Sequence, residues 1–132
     1  MYLLDTNICI YIINKRSIEI VKKINSLKPA DIKISSITVA ELEYGASKSK
    51  NREMNRNALQ RFFSPFEIIN FDAEDAEVYG IIRAALEREG MVIGPYDLQL
   101  AAQALRRDCI FVTNNKKEFQ RIGKLKLEDW LN

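Results

Sequence analysis

Short apolar runs that alternate with segments of helical spacing leave this chain few ways to fold. Tyr2-Leu3-Leu4 ends directly at Asp5. Ile32-Lys33-Ile34 follows the breaker Lys28-Pro29-Ala30-Asp31. Phe66–Phe71, rich in β-branched and aromatic residues, follows Ser64-Pro65, and Cys109–Val112 runs into Thr113. Each reads as a strand. Between them Ile18, Val21, Ile24 and Leu27 recur every three residues, and Thr38 to about Ser49, Asn51 to Phe63 and Ala73 to Glu89 predict further helices, the last closed by Gly90. After Gly94-Pro95, Leu98, Ala101, Ala102 and Leu105 fall at i, i+3, i+4 and i+7, one face of an amphipathic helix. A short helix from about Lys116 and a terminal segment with Trp130 finish the chain. Strands separated by helices predict an α/β domain with a mostly parallel sheet covered on both faces. In such sheets the functional crevice lies at the carboxyl ends of the strands.

With 132 residues, the chain 1–132 is expected to form one domain. Hydrophobic residues at 47% and charged residues at 29% place it in the globular class. A net charge of +2 is too small to argue for nucleic acid by itself. The absence of histidine constrains the chemistry more. It excludes Ser-His-Asp and Cys-His hydrolysis and His-ligated zinc, which leaves carboxylates and a hard cation as the tools for catalysis at neutral pH. Cys9 and Cys109 form neither a metal-ligand spacing nor a disulfide framework, and both read as buried thiols in a reducing compartment. No signal peptide and no apolar run of membrane-spanning length are recognisable, so a cytoplasmic protein without membrane contact is expected.

Acidic residues stand where the crevice should be. Asp5 follows the first strand, Glu41 lies in the first turn of the helix after the Ile32–Ser35 strand, and Asp97 opens the helix after Gly94-Pro95. Thr113-Asn114-Asn115 follows the last apolar strand. Carboxylates brought together raise one another's pKa, and a divalent cation removes that penalty. Mg²⁺ prefers oxygen ligands, polarises a phosphodiester and lowers the pKa of an attacking water. Each residue also has a plainer reading. Asp5, Asp97 and Asn115 could cap helices, and Thr38-x-x-Glu41 fits a capping box. Agreement of place at one sheet edge weakens the reading as four separate caps, and the pattern alone leaves metal site and caps evenly matched.

Four segments together resemble the PIN-domain nucleases, and more narrowly the VapC toxins of bacterial toxin–antitoxin pairs. They are Leu3-Leu4-Asp5-Thr6-Asn7, Ser35-Ser36-Ile37-Thr38-x-x-Glu41-Leu42-x-x-Gly45, Gly94-Pro95-Tyr96-Asp97-x-x-x-Ala101-Ala102 and Val112-Thr113-Asn114-Asn115-x-x-Glu118-Phe119, with a closing Leu127-Glu128-Asp129-Trp130. The resemblance implies a three-layer α/β/α sandwich and an endoribonuclease dependent on Mg²⁺, or Mn²⁺ in its place. It implies a homodimer whose cognate antitoxin inserts a segment into the active site. It also implies an acidic core of Asp5, Glu41 and Asp97, with Asp5 and Asp97 the direct metal ligands. Thr6, Asn7 and Thr113 support this core. Where many PIN domains carry a fourth acid this chain has Asn115, which can still coordinate or hydrogen-bond as a catalytic residue, and Glu118, three residues on, is the alternative for that place.

RNA contact is expected along Ser47–Arg61, where Lys48, Lys50, Arg52, Arg56 and Arg61 face one acid, Glu53. Its plainer reading is a solvated helix face. Arg83, Arg88, Arg106 and Arg107 are further candidates, and Tyr96 can stack a base or belong to the core. A haloacid-dehalogenase-type phosphatase would need an acid at position 7, where Asn7 stands, and a receiver domain would need an acidic pair near Asp5. An RNA-processing PIN nuclease without an antitoxin and a non-catalytic RNA- or partner-binding PIN module are the remaining alternatives.

Overall fold

A computed structural model describes residues 1–131. Its centre is a sheet of five strands, all parallel, in the order β3-β2-β1-β4-β5. The strands are β1 (Tyr2–Leu4), β2 (Ile32–Ser35), β3 (Glu67–Ile69), β4 (Ile110–Val112) and β5 (Leu127–Glu128). The helices are α1 (Thr6–Ile13), α2 (Ile18–Asn25), α3 (Ser36–Ser47), α4 (Arg52–Phe63), α5 (Ala73–Arg88), α6 (Pro95–Arg106) and α7 (Lys116–Phe119). Helices cover both faces of the sheet, giving the expected three-layer α/β/α sandwich.

Two apolar cores, one per face, follow from the two-residue period of the strands. In β1, Leu3 joins the core made with α5 and α6, while Leu4 joins the core made with α1, α2 and α3. Their partners in register, Phe111 and Val112 of β4, divide in the same way. α6 buries Leu98 and every residue from Leu100 to Ala104, because it lies between the sheet and α5. Trp130 packs edge-on against Tyr2, with ring centroids 5.5 Å apart, and closes the opposite face.

Element boundaries differ from the sequence reading where side chains compete for helix ends. α3 begins at Ser36, capped by the Ser35 hydroxyl accepting from the Ile37 amide at 3.0 Å. Glu41 therefore lies in the second turn of α3, not the first, and Thr38-x-x-Glu41 is no capping box. The expected strand Phe66–Phe71 shortens to Glu67–Ile69, and β5 is added at the other edge. The helix that Asp5 could cap, α1, has no bounds or face legible in the sequence. Its run Ile8–Ile13 is apolar at every position and so shows no single face.

Asp72 and Asp75 form the capping box that starts α5. Arg106 Nε donates to Asp75 Oδ1 at 2.6 Å, and its other nitrogens reach Asp72 and Glu74. Arg107 Nη2 joins Asp75 and Asp72. These arginines tie α6 to α5 and are not free for RNA; Arg83 is likewise paired, with Glu87 and Tyr79. Both cysteines are free and buried, as expected. Among the described residues no helix is long and apolar enough to cross a membrane.

Leu3 is fully buried under α6, so Leu3→Ala is expected to lower the unfolding free energy by about 3 kcal/mol. Urea denaturation checks this, and an unchanged midpoint would contradict the central place given to β1.

Candidate active site

Asp5, Glu41 and Asp97 come from three different elements and line one cleft of about 530 Å³ at the carboxyl edge of the sheet. Asp5 leaves the end of β1 and is 4% exposed. Glu41 projects from α3, and Asp97 from the first turn of α6, where Pro95 fills the first helical position and Gly94 is the cap residue. None of the three carboxylates caps its helix by side chain.

Hydroxyls hold the acids in place. Thr113, fully buried after β4, donates from Oγ1 to Asp5 Oδ2 at 2.8 Å. The same hydroxyl oxygen accepts from the Asn115 amide at 3.0 Å. Thr6 Oγ1 donates to Glu41 Oε1 at 3.0 Å and lies 3.0 Å from Thr38 Oγ1. A carboxylate has no proton to give, so the single Thr6 proton goes to Glu41. The hydrogen between the two hydroxyls then comes from Thr38, and the chain runs Thr38 to Thr6 to Glu41. Thr38, buried in α3, is the member of this set that sequence reasoning missed as a site residue. Its resemblance to a cap concealed it.

Among the described residues no lysine or arginine pairs with these carboxylates. Burial pushes the Asp5 carboxyl up to about 6; the Thr113 hydroxyl and Thr6 backbone act against this, and the Asp97 and Glu41 charges add to it. Asp97 is raised by burial, by Glu118 and by Glu41. Glu118 of α7 thus belongs to the same electrostatic cluster. Asn115, exposed, donates from Nδ2 to Glu118 Oε2 at 3.0 Å. Among the described residues no three Asp, Glu, His or Cys side chains are placed to hold a metal ion unaided. The donor set nevertheless fits a hard divalent cation. It is all oxygen, it is anionic and destabilised by its own repulsion, and Mg²⁺ takes only one or two protein carboxylates and fills the rest with water.

A PIN-domain family model matches residues 2–125. The chain belongs to the PIN-domain family. Within it the chain sits among the VapC ribonucleases. It is 46% identical to Ribonuclease VapC2 of Rickettsia felis over 98% of each protein. It is 42% identical to the tRNA(fMet)-specific endonuclease VapC of Shigella flexneri, over 98% of this chain and 97% of that protein. Among solved structures it superposes on VapBC2 from Rickettsia felis bound to a promoter DNA fragment, with a TM-score of 0.91, 46% identity and 98% coverage of both chains. On the DNA-bound VapBC of Salmonella typhimurium the TM-score is 0.92, at 41% identity, covering 98% of this chain and 97% of that one.

The residues expected to contact RNA in this VapC-family chain do not form one free surface. Lys50, Arg52, Arg56 and Arg61 line a separate groove on α4 and the turn before it. Arg56 also pairs with Glu43 at 3.5 Å, and Arg52 Nε donates to the Ser47 carbonyl. Lys48 lies over the Tyr44 ring, 4.8 Å from its centroid. Tyr96 is 60% exposed beside Asp97, which removes the core reading for it. Asn7 lines the cleft with Asp5.

The raised Asp5 carboxyl carries a signed stability effect. Below about pH 3 it is protonated in both the folded and unfolded chain and contributes nothing. As pH rises towards 6 the unfolded chain releases the proton first, and the folded state loses stability by about 3 kcal/mol for a shift near two pH units. In metal-free protein, Asp5→Asn is therefore expected to be more stable than wild type at pH 7.5, with the gap closing by pH 3. Thermal melts in EDTA at the two pH values check this, and a gap independent of pH would refute it.

Proposed function

We propose that the chain is a divalent-metal-dependent endoribonuclease, acting as one domain over 1–132 and forming the toxin half of a toxin–antitoxin pair. The observation that carries this reading is the meeting of Asp5, Glu41 and Asp97 in one cleft of a VapC-family fold. Asp5 and Asp97 hold Mg²⁺, or Mn²⁺ in its place, with Glu41 beside them. Glu118 takes the place of the fourth acid, and Asn115 steers it by the Nδ2 hydrogen bond. When bound, the cation supplies Lewis-acid polarisation of a phosphodiester and a more acidic attacking water.

The chain's own residues do the positioning. Thr113 fixes Asp5 against rotation, and the hydroxyl chain from Thr38 through Thr6 fixes Glu41. Preorganised carboxylates of this kind do not have to be reoriented during the reaction. The basic groove with Lys50, Arg52, Arg56 and Arg61, extended by Lys48, takes flanking phosphates, and Tyr96 is exposed for stacking at the acid edge. The substrate is a structured RNA, tRNA or rRNA, and the name of one VapC relative, a tRNA(fMet)-specific endonuclease, supports tRNA.

The VapBC neighbours support a cognate antitoxin as physiological partner. An anionic cleft suits an arginine from that partner, since a guanidinium fork pairs carboxylates bidentately. The protein acts in the cytoplasm as a homodimer. Light scattering should give a dimer at tens of micromolar, and a stable monomer would remove that part of the reading.

Cleavage of total tRNA is expected with Mg²⁺ or Mn²⁺ and to stop in EDTA; undiminished cleavage in EDTA would overturn the metal requirement. Glu118→Gln removes a charge from the acid cluster and is expected to lower kcat by about a hundredfold, a loss of the size seen for single electrostatic groups. Asn115→Ala removes only an orienting hydrogen bond and should lose far less. Equal losses in the two variants would mean that Asn115 itself is the ligand.

A further inference from the structure

The cleft does not end at the carboxylates. Past them its walls are uncharged: Ile10 and Ile13 from α1, Gly45 and Ala46 from α3, Ala58 and Leu59 from α4. The amides of Asn14 and Asn55 lie among these residues, and no lysine or arginine does. Asn55 Nδ2 donates to Ser49 Oγ at 2.8 Å, which fixes the orientation of that amide.

Gly45 is unexpected in the cleft wall. It sits inside α3, where glycine weakens a helix relative to alanine. Its backbone does not require glycine, since positive φ occurs at Lys15, Gly90 and Asp108 and not at Gly45. Packing does not require it either, because a β-carbon built there would meet no atom within 4 Å. The space that a side chain would occupy is cleft space.

We propose that the uncharged end of the cleft is a subsite for one unpaired nucleobase next to the cleaved bond, kept open by Gly45. This rests on the ribonuclease reading. A phosphate would need cations, and those near α4 line the separate basic groove instead. Asn55, Ala58 and Leu59, at i, i+3 and i+4, form one stripe of α4 in the cleft, while Arg52, Arg56 and Arg61 line the groove. A base is flat and uncharged, with apolar faces and edges that amides read, and single-stranded RNA presents bases in this splayed form. Apolar walls with a few fixed polar groups are what such a ligand takes.

The probe is a pool of RNA oligonucleotides of randomised sequence, cut in Mn²⁺ and read by sequencing the new 5′ ends. Wild type is expected to prefer one or two bases at a fixed position beside the cut. Gly45→Leu fills the subsite, flattens that preference and lowers kcat/KM by at least about tenfold, mainly through KM. Its thermal midpoint should not fall below that of wild type, since a helix-forming residue replaces glycine, and its Mn²⁺ affinity by calorimetry should stay at the wild-type value, because the carboxylates are untouched. Gly45→Ala should lose less than Gly45→Leu. Ala58→Leu narrows the subsite from the opposite wall and should give the same flattening, which keeps the test valid if Gly45→Leu does not fold. Wild-type cleavage indifferent to base at every position would overturn the subsite and leave the ribonuclease reading standing. So would unchanged preference and efficiency in both leucine variants, including the case in which they lose only the co-purifying protein partner. Failure of wild type to cut RNA in any divalent ion would overturn the ribonuclease reading, and the subsite with it.

Discussion

The parallel pairing of β1 with β4 places both the core and the chemistry. In this ladder Leu3 stands beside Phe111 and Leu4 beside Val112, so each pair enters the core on its own face. The ladder continues with the Asp5 amide donating to the Val112 carbonyl at 2.9 Å. One residue further on each strand, the Thr113 hydroxyl meets the Asp5 carboxylate. A slip of one residue would turn Leu3 and Leu4 to the wrong faces and separate this pair, so core burial and site geometry are enforced by the same register.

Two buried carboxylates among the described residues, Asp5 and Asp75, are treated in opposite ways. Burial pushes Asp75 up, but hydrogen bonds from Arg106, the Asp72 backbone and Arg107 outweigh it, and its pKa falls below the usual range. Asp75 is thus a neutralised joint between α5 and α6. Asp5 has hydroxyl and backbone donors but no guanidinium, and it lies near Asp97 and Glu41, so its pKa rises. A fold able to supply two arginines to one buried acid leaves the other without any. Carboxylates left in that state in a cleft are the usual mark of a functional site.

Charge is also partitioned around the cleft. Acids stand at the carboxyl edge of the sheet, uncharged walls lie between α1, α3 and α4, and cations line the separate groove on α4 and the preceding turn. α4 separates the last two because its residues divide at helical spacing between cleft and groove. This division matches the three parts of a nucleotide substrate, a reacting phosphate, a base and flanking phosphates, without needing large net charge.

Much was legible in the residues themselves. Alternating strands and helices dictated a covered parallel sheet, and that class of sheet directs chemistry to the carboxyl ends of its strands. The absence of histidine and the position of Asp5 directly after a strand pointed to carboxylates at that edge. Other features were closed to sequence alone. α1 showed no face because its run Ile8–Ile13 is apolar at every position, and Ser35 in place of Thr38 as cap moved Glu41 into the second turn. Arg106 and Arg107 looked like free cations until α5 and α6 packed together. That Asp5, Glu41 and Asp97 share one cleft and cap no helix by side chain was likewise decided only in three dimensions. Local spacing sets which backbone amides a side chain can reach, but a hydroxyl from residue 113 on the carboxylate of residue 5 depends on strands 108 residues apart in sequence being neighbours in the sheet.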